Sequence, residues 1–181
     1  MENSWKIEIS RSTKIIHLKN VYRFKYGRFK GLTVEQALLR SPADMYDRGR
    51  WAIRECENQP HLVRLARRFQ KLWELLCQAE AAAAKCTESG CKGAGRLMSF
   101  TRRDSGLSPR PEFWCERHGP GDPDFDTPKM PISIREIWRF NTKGDRRRFA
   151  KYIRYALGIP KGTRITEEFA NRWFADIEDG D

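Results

Sequence analysis

The chain has 181 residues and a formal net charge of +11, from 35 lysines and arginines against 24 aspartates and glutamates. This length suits one domain or two small ones with a real core. No apolar run approaches the roughly 20 residues of a membrane span, and no signal peptide is visible, so we expect a cytoplasmic protein that is not membrane-bound.

Much of the positive charge comes from arginine, and the chain also contains six tryptophans, five tyrosines and ten phenylalanines. Guanidinium groups bind phosphate in a fork and stack on bases, while aromatic rings offer further stacking surfaces. The composition therefore predicts a nucleic-acid partner, either DNA or RNA. A ribosomal-type or merely soluble basic surface and an acidic protein partner are the alternatives.

The first part of the chain predicts strands and then helices. Apolar residues alternate with polar ones over 5–26, which indicates a small antiparallel sheet with its hairpin connection at 10–14. A helix is expected to start at Thr33, where Gln36 completes a capping box. A second helix is expected with Pro42 at its first position.

The longest predicted helix covers about 61–85, with an apolar stripe on one face. The alanines at 81–84 are expected to extend it to the first cysteine of the next segment. A solvated charged face is the favoured explanation of the cations on the rest of this helix, ahead of a role in phosphate binding. These cations are Arg64, Arg67, Arg68 and Lys71.

Four residues with the spacing C-x4-C-x23-C-x2-H predict a metal site: Cys86, Cys91, Cys115 and His118. Thiolate sulfur and neutral imidazole are natural ligands of tetrahedral zinc. Four protein ligands leave no position for water, so the expected zinc is structural rather than catalytic. Gly90 and Gly93 are expected to allow the tight curvature of a knuckle at the first pair.

The alternatives for these cysteines are ordinary reduced thiols and disulfides. Cys56 and Cys77 lie on apolar helical stretches and are expected to be small core residues. Disulfides are the weaker alternative, because an odd number of cysteines would leave one thiol over.

Residues 92–111, between the two ligand pairs, contain an expected short strand at 97–100 and then a polar loop. The loop carries Arg102, Arg103 and Arg110. Such a basic loop is well placed to contact a nucleic-acid backbone or base edge. The alternative is that this loop is a disordered tip.

Residues 119–131 are rich in Pro, Gly and Asp and are expected to be a linker. A C-terminal helical unit should begin at Ser133, followed by a helix at 144–157 and a last helix from Thr166. The predicted fold class is α+β, with a small N-terminal antiparallel sheet, helices, a Cys3His zinc knuckle and a C-terminal helical bundle. The predicted domains are 1–118, with the knuckle at 86–118, and 132–181.

Residues 24–33 read F-K-Y-G-R-F-K-G-L-T, and Val34 and Glu35 follow. This stretch resembles the segment F/Y-G-K-Y-K-G-x-T-hydrophobic-E of C-terminal modules in exodeoxyribonuclease X-like proteins. Those modules continue with P-x-Y-hydrophobic-x-W, which S-P-A-D-M-Y at 41–46 and then Trp51 resemble.

The resemblance covers about 22–54 and implies a small accessory module of a DNA-processing protein. It places Lys30 at the second lysine position of the family and Arg28 at the first, both exposed on a turn shaped by Gly27 and Gly31. A plain hairpin turn explains the glycines equally well. The catalytic domain of that family, which holds two metal ions on acidic residues, has no counterpart in the sequence.

A second resemblance is architectural. A small basic protein with a Cys3His knuckle and a helical C-terminus is similar to the reduced large subunit of type IV CRISPR effector complexes. The resemblance implies a subunit at one end of a guide-RNA ribonucleoprotein that helps to inspect the target duplex beside the protospacer.

Three functions follow from these observations, and the first is favoured. It is a non-catalytic, zinc-containing nucleic-acid-binding subunit of a DNA-processing or RNA-guided complex with other protein subunits. The expected phosphate-contacting residues are Arg28, Lys30, Arg102, Arg103, Arg110, Arg117, Arg139, Lys143, Arg146, Arg147, Arg148, Lys151 and Arg154.

The second function is a metal-dependent nuclease or nuclease accessory protein. The sequence contains no Walker loop, nucleophile elbow or H-E-x-x-H motif that would supply a catalytic set. His17 and His61 have no neighbouring nucleophile. The third is a basic protein-interaction module, such as a phage-encoded inhibitor that binds an acidic partner.

Overall fold

The computed structural model describes residues 21–79, 84–100, 110–118, 137 and 140–178. In this part of the chain, α-helices are combined with a two-stranded antiparallel sheet, and the α+β class is confirmed. No described helix is both long and apolar enough to cross a membrane. The elements are α1 Val34–Arg40, α2 Pro42–Glu55, α3 Val63–Gln78, β1 Leu97–Phe100, β2 Pro111–Trp114, α4 Lys143–Ala156 and α5 Glu167–Glu178, with short 3-10 turns at Pro60–Leu62 and Glu116–His118.

The described helices begin at or next to the predicted residues, and the start predicted at Ser133 lies outside the described residues. The Thr33 hydroxyl accepts a hydrogen bond from the backbone N–H of Gln36 at 3.2 Å, and the Gln36 side chain accepts one from the backbone N–H of Thr33 at 3.1 Å. Pro42 opens α2, where its missing N–H costs nothing. Thr142 and Thr166 cap α4 and α5 in the same way as Thr33, through hydroxyls that accept from backbone N–H groups three residues on.

The long predicted helix ends earlier than expected. Helix α3 ends at Gln78, because Ala79 has extended backbone with a ψ of 129°. The prediction that the helix reaches residue 85 is wrong for Ala84 and Lys85. Their backbones pair instead with the next segment, since the Ala84 carbonyl accepts a bond from Gly95 N–H at 3.0 Å and Lys85 forms an antiparallel bridge with Ala94.

The predicted N-terminal sheet lies largely outside the described residues. At its end, Arg23 forms one isolated antiparallel bridge with Thr33. The turn between them closes through hydrogen bonds from Phe24 N–H to Leu32 O at 3.0 Å and from Gly31 N–H to Phe24 O at 2.8 Å. Residues 24–32, called the N-terminal turn below, therefore form a compact hairpin loop.

Helix α1 lies in the centre of the core, with buried side chains along its length. Helix α5 packs on α1 and α3, and α4 packs on α1 and α2. Phe149 from α4 and Phe174 from α5 belong to the same hydrophobic cluster as Leu38 and Phe69. The predicted linker at 119–131 lies outside the described residues, and the domain boundary stays a prediction. The C-terminal helices nevertheless bury their apolar faces against α1–α3.

The close packing of α2 on α3 gives a prediction for Gly49. A Cβ atom at Gly49 would lie 2.3 Å from the buried Phe69 ring, so Gly49→Ala forces this ring to move. We expect the free energy of unfolding to fall by about 3 kcal/mol, the upper end of the usual cost of overpacking. Gly144→Ala in α4 is the matched control, because its nearest side-chain atom would be 3.7 Å away. Denaturant unfolding should show the control unchanged or stabilised by up to about 1 kcal/mol; equal effects would contradict the packing argument.

Candidate metal centre and basic surface

The first ligand pair lies on a tight turn. Cys86 N–H donates to Gly93 O at 3.0 Å, and Cys91 N–H donates to Glu88 O at 3.1 Å. The turn requires the left-handed backbone of Gly90, whose φ is 77°. These bonds bring the two cysteine side chains to the same end of the turn.

The second pair follows directly from the β-hairpin. Strands β1 and β2 pair in antiparallel register from Leu97 opposite Trp114 to Phe100 opposite Pro111, so the short strand predicted at 97–100 is confirmed. Cys115 comes immediately after β2, and the following 3-10 turn carries His118 back towards it, with His118 N–H donating to Cys115 O at 3.1 Å.

Thr87 joins the two halves of the candidate site. Its N–H donates to Phe113 O at 2.7 Å, and its hydroxyl accepts from Phe113 N–H at 2.8 Å. The turn that carries Cys86 and Cys91 is thus hydrogen-bonded to β2 through Thr87. Thr87 is not among the predicted site residues, since a threonine after a cysteine carries no signal of such a contact.

The four predicted ligands come together. All their ligand atoms lie within 4.8 Å of one another. His118 Nδ1 is 3.4 Å from Cys86 Sγ and 3.5 Å from Cys115 Sγ, and Cys91 Sγ is 3.9 Å from Cys115 Sγ. Zn–S and Zn–N bonds of about 2.3 and 2.0 Å place tetrahedral ligand atoms about 3.5–3.8 Å apart. The cluster is therefore compatible with a metal site.

The same distances bear on the disulfide alternative. A disulfide joins its sulfurs at about 2.05 Å, and the Cys91 and Cys115 sulfurs are far beyond that distance. None of the five cysteines, all of which lie in the described residues, forms a disulfide. Cys56 and Cys77 are half-buried and pack against the hydrophobic core, away from the cluster.

The pKa values of the Cys115 and Cys91 thiols are shifted in opposite directions. The backbone N–H of His118 lowers the pKa of Cys115, since a hydrogen bond to sulfur favours the thiolate. At Cys91 the backbone N–H of Gly93 also acts to lower the pKa. Burial and the hydrogen bonds with the Cys115 and Cys86 thiols outweigh it, so the pKa of Cys91 is raised.

Gly93 is needed for close approach. A Cβ atom there would lie 3.2 Å from Cys115 Cβ and 3.4 Å from the sulfurs of Cys91 and Cys115. A side chain would thus crowd the metal ligands. The left-handed curvature predicted for this turn is found at Gly90 and not at Gly93, where the lack of a side chain leaves room for the sulfurs.

Several predicted phosphate-contacting residues form ion pairs or hydrogen bonds within the protein. Asp44 accepts from Arg28 at 2.7 Å and from Arg146 at 3.1 Å. Arg148 pairs with Asp145 at 2.6 Å, and the half-buried Arg154 donates to a backbone carbonyl of its own helix. The carboxylate partners reduce the positive charge that Arg28, Arg146 and Arg148 present, whereas the contact of Arg154 only fixes its side chain. Arg102, Arg103 and Arg139 lie outside the described residues.

Other predicted cations are exposed. Lys143, Arg147 and Lys151 are exposed along α4, and none has an ion-pair or hydrogen-bond partner in the part of the chain that the structure describes. They are spaced by four residues, about 6 Å of helix rise, and Tyr155 continues the series. These four residues are called the α4 stripe below. Lys30, Arg110 and Arg117 are also exposed, on the N-terminal turn, before β2 and in the 3-10 turn.

Tyr155 connects the α4 stripe with the β-hairpin that leads to Cys115. Its ring is 52 % exposed and packs edge-on against Phe113 of β2, with 5.7 Å between centroids. Tyr155 is not among the predicted site residues. Helical spacing was the available signal, because Tyr155 follows Lys151 by four residues.

Comparison of the chain with protein-family models, with curated proteins and with solved structures gives no match.

Proposed function

We propose that the chain is a non-catalytic nucleic-acid-binding subunit of a DNA-processing or RNA-guided complex, stabilised by one structural zinc ion. Three thiols and an imidazole are the ligands that zinc prefers, and four protein ligands leave no open position for a reacting water. In this proposal the zinc ion holds Cys86, Cys91, Cys115 and His118 together and fixes the hairpin that follows the first pair.

The α4 stripe is the observation that carries the nucleic-acid part of the proposal. Exposed cations without carboxylate partners are available to bind phosphates, and each contact gains free energy by releasing counterions from the nucleic acid. Arg28 and Arg146 would first have to give up Asp44, so they are weaker candidates. Contact between Tyr155 and Phe113 holds the C-terminal end of the stripe next to the zinc-bound hairpin.

Alanine replacement of Lys143, Arg147 and Lys151 together tests the proposal. Since each phosphate contact contributes about one unit to the slope of log affinity against log salt, the slope should fall by about two to three units. The affinity at moderate salt should fall about 100-fold. Fluorescence anisotropy with a labelled oligonucleotide at several salt concentrations measures both quantities.

A second triple variant controls for net charge. Arg54, Arg67 and Arg172 are exposed on three other helices and have no ion-pair partner in the described part of the chain. Their replacement by alanine removes the same charge and should lower the affinity much less. The proposal would be contradicted if the affinity of the unmodified protein for the oligonucleotide did not change with salt concentration. It would also be contradicted if the two triple variants lost equal affinity.

A further inference from the structure

An open groove of about 560 Å³ lies between the N-terminal turn, α2 and the start of α4. Its lining combines flat rings with charged groups, and none of the metal ligands belongs to it. The residues that matter to the inference are Tyr26, Arg28, Asp44, Arg48, Trp51 and Arg146.

The carboxylates of the groove are already neutralised. Asp44 is paired with both Arg28 and Arg146, and Asp47 accepts a second bond from Arg146 at 2.6 Å. With Arg48, the lining has three guanidinium groups against two carboxylates. A cationic ligand such as a lysine-rich peptide would meet an excess of positive charge, whereas a neutral or anionic ligand would not.

The rings offer stacking surfaces. Tyr26 is 83 % exposed, although large aromatic rings are normally well covered in a folded protein. The Cζ atom of Arg48 lies 4.0 Å from the centroid of the half-buried Trp51 ring. The Trp51 indole therefore supports the flat guanidinium group of Arg48. Aromatic rings, tyrosine among them, and guanidinium planes are surfaces on which proteins stack unpaired bases.

We infer that this groove binds an unpaired base of a single nucleic-acid strand whose backbone continues along the α4 stripe. The inference rests on the proposed function. Arg146 lines the groove, and Lys143 of the stripe is its neighbour three residues earlier on the surface of α4, so one strand can reach both. A base in an intact duplex cannot enter, because its faces are covered by its neighbours in the stack.

Replacement of Tyr26 tests the inference with two probes. The first is a fluorescent oligothymidylate of about twelve nucleotides, within the usual site size for a single strand. The second is a strand of the same length in which abasic sites replace the thymidines. Tyr26→Ala should weaken binding of oligothymidylate about 5- to 100-fold, the usual loss for one stacked base. The same variant should bind the abasic strand as the unmodified protein does.

Tyr26→Phe is the matched control, because it keeps the ring and removes only the hydroxyl. It should bind oligothymidylate with nearly the original affinity, and the exposure of Tyr26 makes both variants compatible with folding. Unchanged binding of oligothymidylate by Tyr26→Ala would overturn the inference. If Tyr26→Ala weakened binding of both probes equally, the inference would also be overturned, since the Tyr26 ring would then contact the sugar-phosphate backbone or stabilise the fold.

The α4 stripe variant separates this inference from the proposed function. If Lys143, Arg147 and Lys151 can be replaced without any loss of binding, the proposed function fails and the inference fails with it. If their replacement weakens binding while Tyr26→Ala has no effect, the proposed function stands and only the inference about the groove is wrong.

Discussion

Cys86→Ser is expected to abolish stoichiometric zinc binding and to unfold the hairpin that carries Cys115 and His118. The side chain of Cys86 is buried, and its sulfur lies 3.4 Å from His118 Nδ1. A serine hydroxyl is a poor zinc ligand, and even changes next to the ligands cost about 10- to 100-fold in affinity. We therefore expect a loss of more than about 100-fold, together with a lower melting temperature, because zinc binding and local folding are coupled.

Metal analysis of the purified protein measures this directly, with one zinc per chain expected before the replacement and none after it. Cys56→Ser is the matched control. Cys56 is half-buried outside the cluster, and its thiol donates to Ile53 O, a bond that a serine hydroxyl can also make. Equal metal content in the two variants, or no metal in the unmodified protein, would refute the proposed zinc site.

Arg68→Ala is expected to destabilise the fold by about 3 kcal/mol. The Glu35 side chain is only 2 % exposed, and Arg68 donates to its Oε1 from Nε at 2.7 Å and from Nη2 at 2.6 Å. Removing one partner of a buried ion pair leaves the other charge in an environment of low dielectric, which costs about 3–5 kcal/mol. The lower end of that range applies because Arg68 is 33 % exposed and water can partly replace it.

Denaturant unfolding measures this effect. Arg67→Ala provides the control on the neighbouring residue, since Arg67 is exposed and has no ion-pair partner in the described part of the chain. It should change the free energy of unfolding by no more than about 0.5 kcal/mol. The double replacement Glu35→Leu and Arg68→Met should recover most of the loss, because no buried charge remains. Equal effects of the two single replacements would show that the ion pair contributes nothing.

The arginines of α3 show where a sequence pattern stops being informative. The amphipathic spacing of α3 predicts a charged face. The favoured interpretation is that these charged side chains are solvated rather than bound to phosphate. Arg67 fits that interpretation, whereas Arg68 binds a buried carboxylate from α1 and Lys71 pairs with Glu178 of α5. Arg68 lies at the edge of the apolar stripe, three residues after Leu65 and four before Leu72, but only the packing of α1 on α3 gives it a buried carboxylate partner.

The sequence by itself determined the features that depend on neighbours along the chain. Capping at Thr33 and the proline at the start of α2 are satisfied within one helical turn, so local patterns predict them well. The spacing within each pair of candidate ligands belongs to the same group, whereas the two pairs come together through the hydrogen bonds between Thr87 and Phe113 of β2.

Tertiary structure decided the features that depend on residues far apart in sequence. Helix α3 ends at Gln78, and Ala84 pairs with Gly95, a contact between separate segments that a helical pattern does not predict. Arg146 is committed to Asp44, about a hundred residues away, while Arg147 beside it stays exposed. The charge of each side chain is fixed by its chemistry, but its availability to a ligand depends on which opposite charge the fold places next to it.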